Sequence, residues 1–96
     1  MKKDKAKVID EVWTEDHVKS FLDVRPHDNT DEDFHMLLKS YQSMRVSDFQ
    51  LFVNFFSTDK RDINATGADG RSVRAIASEH RHGTEYVEIL KNAGAV

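Results

Sequence analysis

Four of the chain's six phenylalanines fall in one short stretch, Val46-Ser47-Asp48-Phe49-Gln50-Leu51-Phe52-Val53-Asn54-Phe55-Phe56. Spacings of three and four residues along this stretch predict a helix. One face of that helix would carry Phe49, Phe52, Val53 and Phe56. Leu51 and Phe55 lie off this face, so we expect the helix to be central and covered from more than one side. Ser47 and Gln50 form a capping box, which predicts that the helix begins at Asp48.

The length of 96 residues corresponds to one small domain. A chain of this size buries about 60–65% of its unfolded surface, so it needs large apolar side chains for its core. The phenylalanines could alternatively form a partner-binding patch, but we assign them to the core because aromatic rings dominate core energetics. The sequence combines 39% hydrophobic and 32% charged residues with only 4 Gly and 1 Pro. This balance favours an all-α domain.

Two further helices are predicted before this stretch. Thr14 can cap a helix over Glu15–Asp23, and Trp13 can pack on Val18 as a hydrophobic staple. Thr30 is expected to open the second helix, because acidic residues follow it in the first turn. The buried side of the second helix would carry Phe34, Leu37, Leu38, Tyr41 and Met44. The first two thirds of the domain should therefore contain three helices.

The last third predicts a turn followed by a helix–loop–helix. The turn falls at Ala68-Asp69-Gly70-Arg71, and Ser72 can cap the helix after it. Two short helical patterns are separated by His82-Gly83-Thr84, and Gly94 suits a left-handed cap at the end of the second. The inward positions of the two patterns are Val73, Ile76, Ala77 and His80, then Tyr86, Val87, Ile89, Leu90 and Ala93. The whole domain is thus expected to have about five helices.

Residues 62–95 resemble one ankyrin repeat. Asp62-Ile63-Asn64-Ala65 is similar to its opening, Asp69-Gly70-Arg71-Ser72 to its turn, and His82–Leu90 with Ala93-Gly94-Ala95 to its second helix and close. A lone repeat cannot bury its own apolar face, so the three preceding helices are expected to pack on it in place of stacked neighbours. The resemblance implies a protein-binding surface on the turn tip and the inner helix. That surface would comprise Ala68, Asp69, Arg71, Arg74 and Ala75.

The whole chain also resembles a family of small proteobacterial proteins. The resemblance rests on Trp13-Thr14, on Arg25-Pro26-His27-Asp28, on Asp33-Phe34-His35 and on residues 62–95. It implies a bacterial protein and brings no activity with it. The expected function is therefore taken from the ankyrin-like segment, which implies a non-enzymatic protein–protein interaction module that needs no cofactor.

The charges are segregated along a chain whose formal net charge is −3. Residues 1–7 hold four lysines against one aspartate, and we expect them to form a flexible basic tail before a helical domain at 8–96. Residues 10–33 are strongly acidic. The sequence has no cysteine, which is compatible with a reducing compartment, and no apolar run long enough to span a membrane. We therefore expect a cytoplasmic protein without a membrane partner.

A metal-dependent enzyme is the first alternative function. Its site would be formed by His27, Asp28, Asp31 and His35. Asp31 and His35 are one helical turn apart, and imidazole with carboxylate ligands would suit zinc, nickel or manganese. The spacing matches no strong metal motif, and the acidic residues already have a role at a helix N-terminus. We therefore expect no metal and no catalytic residues.

Nucleic-acid binding is the second alternative. It would depend on the lysines of residues 1–7 together with Lys60, Arg61, Arg71, Arg74 and Arg81. These cations could release counterions from a phosphate backbone. The net negative charge opposes this function, and no base-reading motif accompanies the cations. A protein partner of unknown identity is the preferred prediction.

Overall fold

A computed structural model describes residues 13–96, and the regular elements in this range are all helical. The five helices are α1 (Glu15–Ser20), α2 (Glu32–Ser43), α3 (Val46–Thr58), α4 (Val73–Ser78) and α5 (Thr84–Asn92), with 3-10 turns at Phe21–Asp23 and Arg81–Gly83. No strand occurs in this part of the chain, where the extended pairing is a single bridge between Thr66 and Ser72. The predicted all-α class is confirmed. The predicted tail at 1–7 and the predicted start of the domain at 8–12 lie outside the described residues.

Helix α3 occupies the centre of the domain, as predicted. Its inner face is buried throughout and consists of Phe49, Phe52, Val53 and Phe56. Leu51 and Phe55 are half-buried and pack against the same core. Helices α1, α2 and α5 all contact α3, which explains why its apolar residues extend beyond one face.

The predicted start of α3 is wrong by two residues. The backbone N–H of Phe49 donates to the carbonyl of Arg45 at 2.8 Å, so the helix begins at Val46 and Ser47 lies within its first turn. Met44 explains the early start because it is only 3% exposed and its carbonyl accepts a 2.6 Å hydrogen bond from the Tyr86 hydroxyl. Met44 therefore holds the chain against the core, and α3 begins two residues later, at Val46.

The predicted N-terminal cap is confirmed for α1 and is wrong by one residue for α2. The Thr14 hydroxyl accepts from the backbone N–H of His17 at 3.1 Å, which confirms Thr14 as the cap of α1. Helix α2 begins one residue later than predicted, because its cap is Asp31 and not Thr30. The Asp28 carboxylate accepts from the Thr30 N–H at 2.9 Å, and this local turn places the Asp31 carboxylate over the first turn of α2.

The last two helices pack on the first three. Helix α2 contacts α4, α3 contacts α5, and the two short helices contact each other. Ser72 caps α4 by accepting from the Ala75 N–H at 3.2 Å, as predicted. Gly94 has a φ of +109°, which confirms the predicted left-handed cap after α5. The final third of the chain is therefore part of the common core.

Candidate interaction surface

The predicted binding residues surround a tight turn between Thr66 and Ser72, which we call the 66–72 turn. The Gly67 N–H donates to the Arg71 carbonyl at 3.0 Å, and the Gly70 N–H donates to the Gly67 carbonyl at 2.9 Å. Gly70 has a φ of +82°, a conformation that side chains with a Cβ rarely adopt. The predicted turn at 68–71 is therefore confirmed.

The 66–72 turn is anchored to the core at its base. A Cβ on Gly67 would lie 2.8 Å from two ring carbons of Phe34, so the backbone of the turn rests directly on this buried ring of α2. At the other end of the turn, Ser72 is both a bridge partner and the cap of α4. The position of the tip is therefore set by two helices.

A chain of exposed ion pairs links the tip of the turn to Glu79 at the end of α4. Arg71 Nε donates to Asp69 Oδ2 at 2.8 Å, and Arg71 Nη1 lies 2.8 Å from both carboxylate oxygens of Glu79. The Arg71 hydrogen bonds hold the pKa of the Asp69 carboxyl below its ordinary value. The bonds to Glu79 and then Asp69 raise the pKa of Arg71. Sequence reasoning missed Glu79, since no local spacing links it to Arg71.

The other predicted binding residues differ in exposure. Ala68 and Asp69 are exposed at the tip, whereas Arg74 and Ala75 are half-buried on the first turn of α4. The Arg74 Nε is buried and has no hydrogen-bond partner among the described residues. Arg71 is thus held by carboxylates of its own chain, while Arg74 retains an unsatisfied donor.

An open cleft of about 470 Å³ lies beside the 66–72 turn. One wall is the loop from Asp28 to Asp31, and the other is formed by Thr66, Gly67 and Ala68. The hydrogen bonds from Thr30 hold the pKa of the Asp28 carboxyl below its ordinary value, and the charge of His35 acts in the same direction. The structure therefore brings two of the predicted metal ligands, Asp28 and Asp31, to the same cleft as the predicted binding residue Ala68.

The predicted metal ligands are only partly assembled. Asp28 and Asp31 share the cleft, and His35 lies within electrostatic reach of Asp28. One carboxylate oxygen of each aspartate already accepts a backbone N–H. Across residues 13–96 no three His, Asp or Glu side chains are grouped as a metal site would require. The metal-dependent enzyme remains an untested alternative.

The cations invoked for nucleic-acid binding are partly neutralised. Arg61 donates to Asp33 at 2.9 Å and to Asp59 at 2.8 Å, and Arg71 is bound by two carboxylates. The lysines of residues 1–7 lie outside the described part of the chain. The described surface therefore offers fewer available cations than the sequence suggested.

No helix between residues 13 and 96 has the length and apolar character needed to cross a membrane. Comparisons with protein-family models, curated proteins and solved structures found no match to this chain. The resemblances to an ankyrin repeat and to small proteobacterial proteins therefore remain predictions.

Proposed function

We propose that this protein is a non-enzymatic protein–protein interaction module that binds its partner through the 66–72 turn and the first turn of α4. The contact residues would be Ala68, Asp69, Arg71, Arg74 and Ala75. The resemblance of residues 62–95 to an ankyrin repeat supports this choice of surface. We also propose a bacterial cytoplasmic protein, as expected from the sequence.

The exposed tip of the 66–72 turn, whose base is supported by the core, is the observation that carries the proposal. Phe34 supports the base of the turn, and the Asp69–Arg71–Glu79 ion pairs hold its side chains in place. A surface that is ordered before binding loses little conformational entropy when a partner docks. Polar groups held in this way can therefore contribute to affinity and specificity.

The composition of the described surface favours polar recognition. In residues 13–96 the one large hydrophobic side chain that is exposed is Val96, so apolar burial has little to offer a partner. Arg74 is the better candidate for a direct charge contact, because Arg71 already binds Asp69 and Glu79. A carboxylate on the partner would complement the positive charge of the half-buried Arg74 guanidinium.

A charge reversal tests the proposed surface. The wild-type chain is immobilised, and partners are captured from a cell lysate with a crosslinker. The affinity of the purified partner for each variant is then measured. Arg74→Glu should weaken binding at least about tenfold, since a charge-assisted hydrogen bond is lost. Lys39→Glu is the matched control because it makes the same charge change on the exposed side of α2. Full binding by Arg74→Glu would refute this surface.

A further inference from the structure

The tip of the 66–72 turn carries a dipeptide with a chemistry of its own, Asp69-Gly70. Asp69 is the one aspartate in the sequence that is followed by glycine. An aspartate side chain can react with the backbone nitrogen of the next residue, and glycine hinders that approach least because it has no Cβ. Both residues are exposed, and a Cβ on Gly70 would meet no atom of the described residues within 4 Å. The dipeptide therefore lies open to water.

Hydrogen bonds restrain both reacting groups of this dipeptide. The Gly70 N–H donates to the Gly67 carbonyl at 2.9 Å. The Asp69 carboxylate accepts from the Arg71 backbone N–H at 3.1 Å through Oδ1 and from Arg71 Nε at 2.8 Å through Oδ2. The Gly70 nitrogen must give up its bond, and the carboxylate must leave Arg71, before the nitrogen can attack the carboxyl carbon. Arg71 is thus the side chain that holds the carboxylate away from this reaction.

Arg71 also favours the unreactive form of the Asp69 side chain. The carboxyl group reacts as the neutral acid, because its hydroxyl can leave as water, whereas the ionised carboxylate has no such leaving group. The Arg71 hydrogen bonds hold the pKa of Asp69 below its ordinary value, so the neutral acid is rarer than in a free aspartate. The side chains of Asp69 and Arg71 are 56% and 45% exposed, so solvent weakens their interaction and its effect on the reaction is modest.

We propose that Asp69-Gly70 is a site of spontaneous backbone modification, where aspartate is converted to isoaspartate, and that Arg71 slows the conversion. The Gly70 nitrogen loses its proton and bonds to Asp69 Cγ, and the carboxyl hydroxyl leaves with that proton as water, which gives a cyclic imide. Water then adds to the backbone carbonyl carbon of Asp69. The bond from that carbon to the nitrogen breaks, the nitrogen regains a proton, and the main chain now runs through Cγ. One water is released and one is consumed, so the conversion needs no oxidant, reductant or cofactor.

Asp62 provides a comparison within the same chain. Its Oδ1 accepts from the Asn64 backbone N–H at 2.9 Å, which is the same side-chain turn that Asp69 makes with the Arg71 N–H. The residue after Asp62 is Ile63, which is β-branched and only 8% exposed, so the approach to its nitrogen is crowded. The glycine that follows Asp69 therefore distinguishes the reactive aspartate from Asp62.

Long incubation of the folded chain at mildly acidic pH, followed by peptide mapping, tests the proposal. An isoaspartyl peptide has the mass of the aspartyl peptide and a different retention time, so synthetic standards identify it. Isoaspartate is expected at Asp69 and not at Asp62. Arg71→Gln should speed its formation about threefold, a factor typical of the loss of an exposed ion pair. Arg81→Gln makes the same charge change at an exposed arginine outside the turn and should leave the rate unchanged.

Two results would overturn the proposal. If Asp69 forms no more isoaspartate than Asp62 in the wild type and in Arg71→Gln, the dipeptide is not a reactive site. If Arg71→Gln reacts no faster than Arg81→Gln, Arg71 does not restrain the carboxylate. Both measurements concern the chain alone, so their outcome does not depend on the proposed partner binding.

Discussion

The ring of Phe34 lies directly beneath Gly67, so close that a Cβ at position 67 would be 2.8 Å from two of its carbons. This contact couples the core helix α2 to the 66–72 turn. Gly67→Ala should lower the free energy of unfolding by about 1–3 kcal/mol, because the buried ring must move to admit the methyl group. Urea denaturation measures the loss, with Thr66→Ala at an exposed neighbour as the control. Equal free energies of unfolding for the two variants would show that the Phe34 ring moves aside without a measurable cost.

A second glycine lies even closer to a neighbouring backbone. A Cβ on Gly83 would overlap the backbone carbonyl oxygen of Ala77, and neither backbone can move without separating α4 from α5. Gly83→Ala should therefore cost about 3 kcal/mol or more. Glu88→Ala, on the exposed side of α5, should stay within about 0.5 kcal/mol of wild type in the same thermal or urea unfolding experiment. A stable Gly83→Ala variant would contradict the packing of the two helices.

The Asp69–Arg71 pair predicts a weak acid sensitivity of the 66–72 turn. The pKa of Asp69 is lowered by the Arg71 side chain, so the pair stabilises the fold above the ordinary aspartate pKa of about 3.9. That contribution is lost as the pH falls through the lowered pKa. Carbon NMR titration of Asp69 should show its midpoint rising in Arg71→Gln. An unchanged midpoint would mean that Arg71 does not bind Asp69 in solution.

Tyrosine ionisation predicts a loss of stability at alkaline pH. Burial raises the pKa of Tyr41 and of Tyr86 above the ordinary value of about 10. The folded state therefore favours the neutral phenols, and this contribution is full below pH 10 and lost as the pH rises through the raised pKa values. The pH range over which tyrosinate absorbance rises should coincide with the range over which the free energy of unfolding, measured in urea, falls. Tyr41→Phe should reduce the alkaline slope, and an identical slope would contradict the burial of Tyr41.

Local patterns in the sequence were enough to locate the core of this fold. The three- and four-residue spacing of Phe49, Phe52 and Phe56 identified the buried face of α3, because helical periodicity directly determines which side chains share a face. Thr14 and Ser72 were found as caps for a similar reason, since a cap bonds to a backbone N–H only three residues away.

Features that depend on tertiary contacts were not predicted. The start of α3 was misplaced because Met44 is held by Tyr86, which lies 42 residues further along the chain. The pairing of Arg71 with Glu79 and the contact of Phe34 with Gly67 also join separate elements. The sequence therefore predicts the turn of the candidate surface. The tertiary contacts that support the turn are visible only in the structure.

Site-specific photocrosslinking tests the central functional claim most directly. A photoreactive amino acid replaces Ala68 at the tip of the 66–72 turn, and in a second variant it replaces Gln50, which is exposed on α3. Both variants are irradiated in a cell lysate, and the crosslinked proteins are identified by mass spectrometry. We expect one partner to be crosslinked from Ala68 and not from Gln50. Crosslinking of that partner from Gln50 alone, or no crosslinked protein from Ala68, would contradict the assignment of the 66–72 turn as the binding surface.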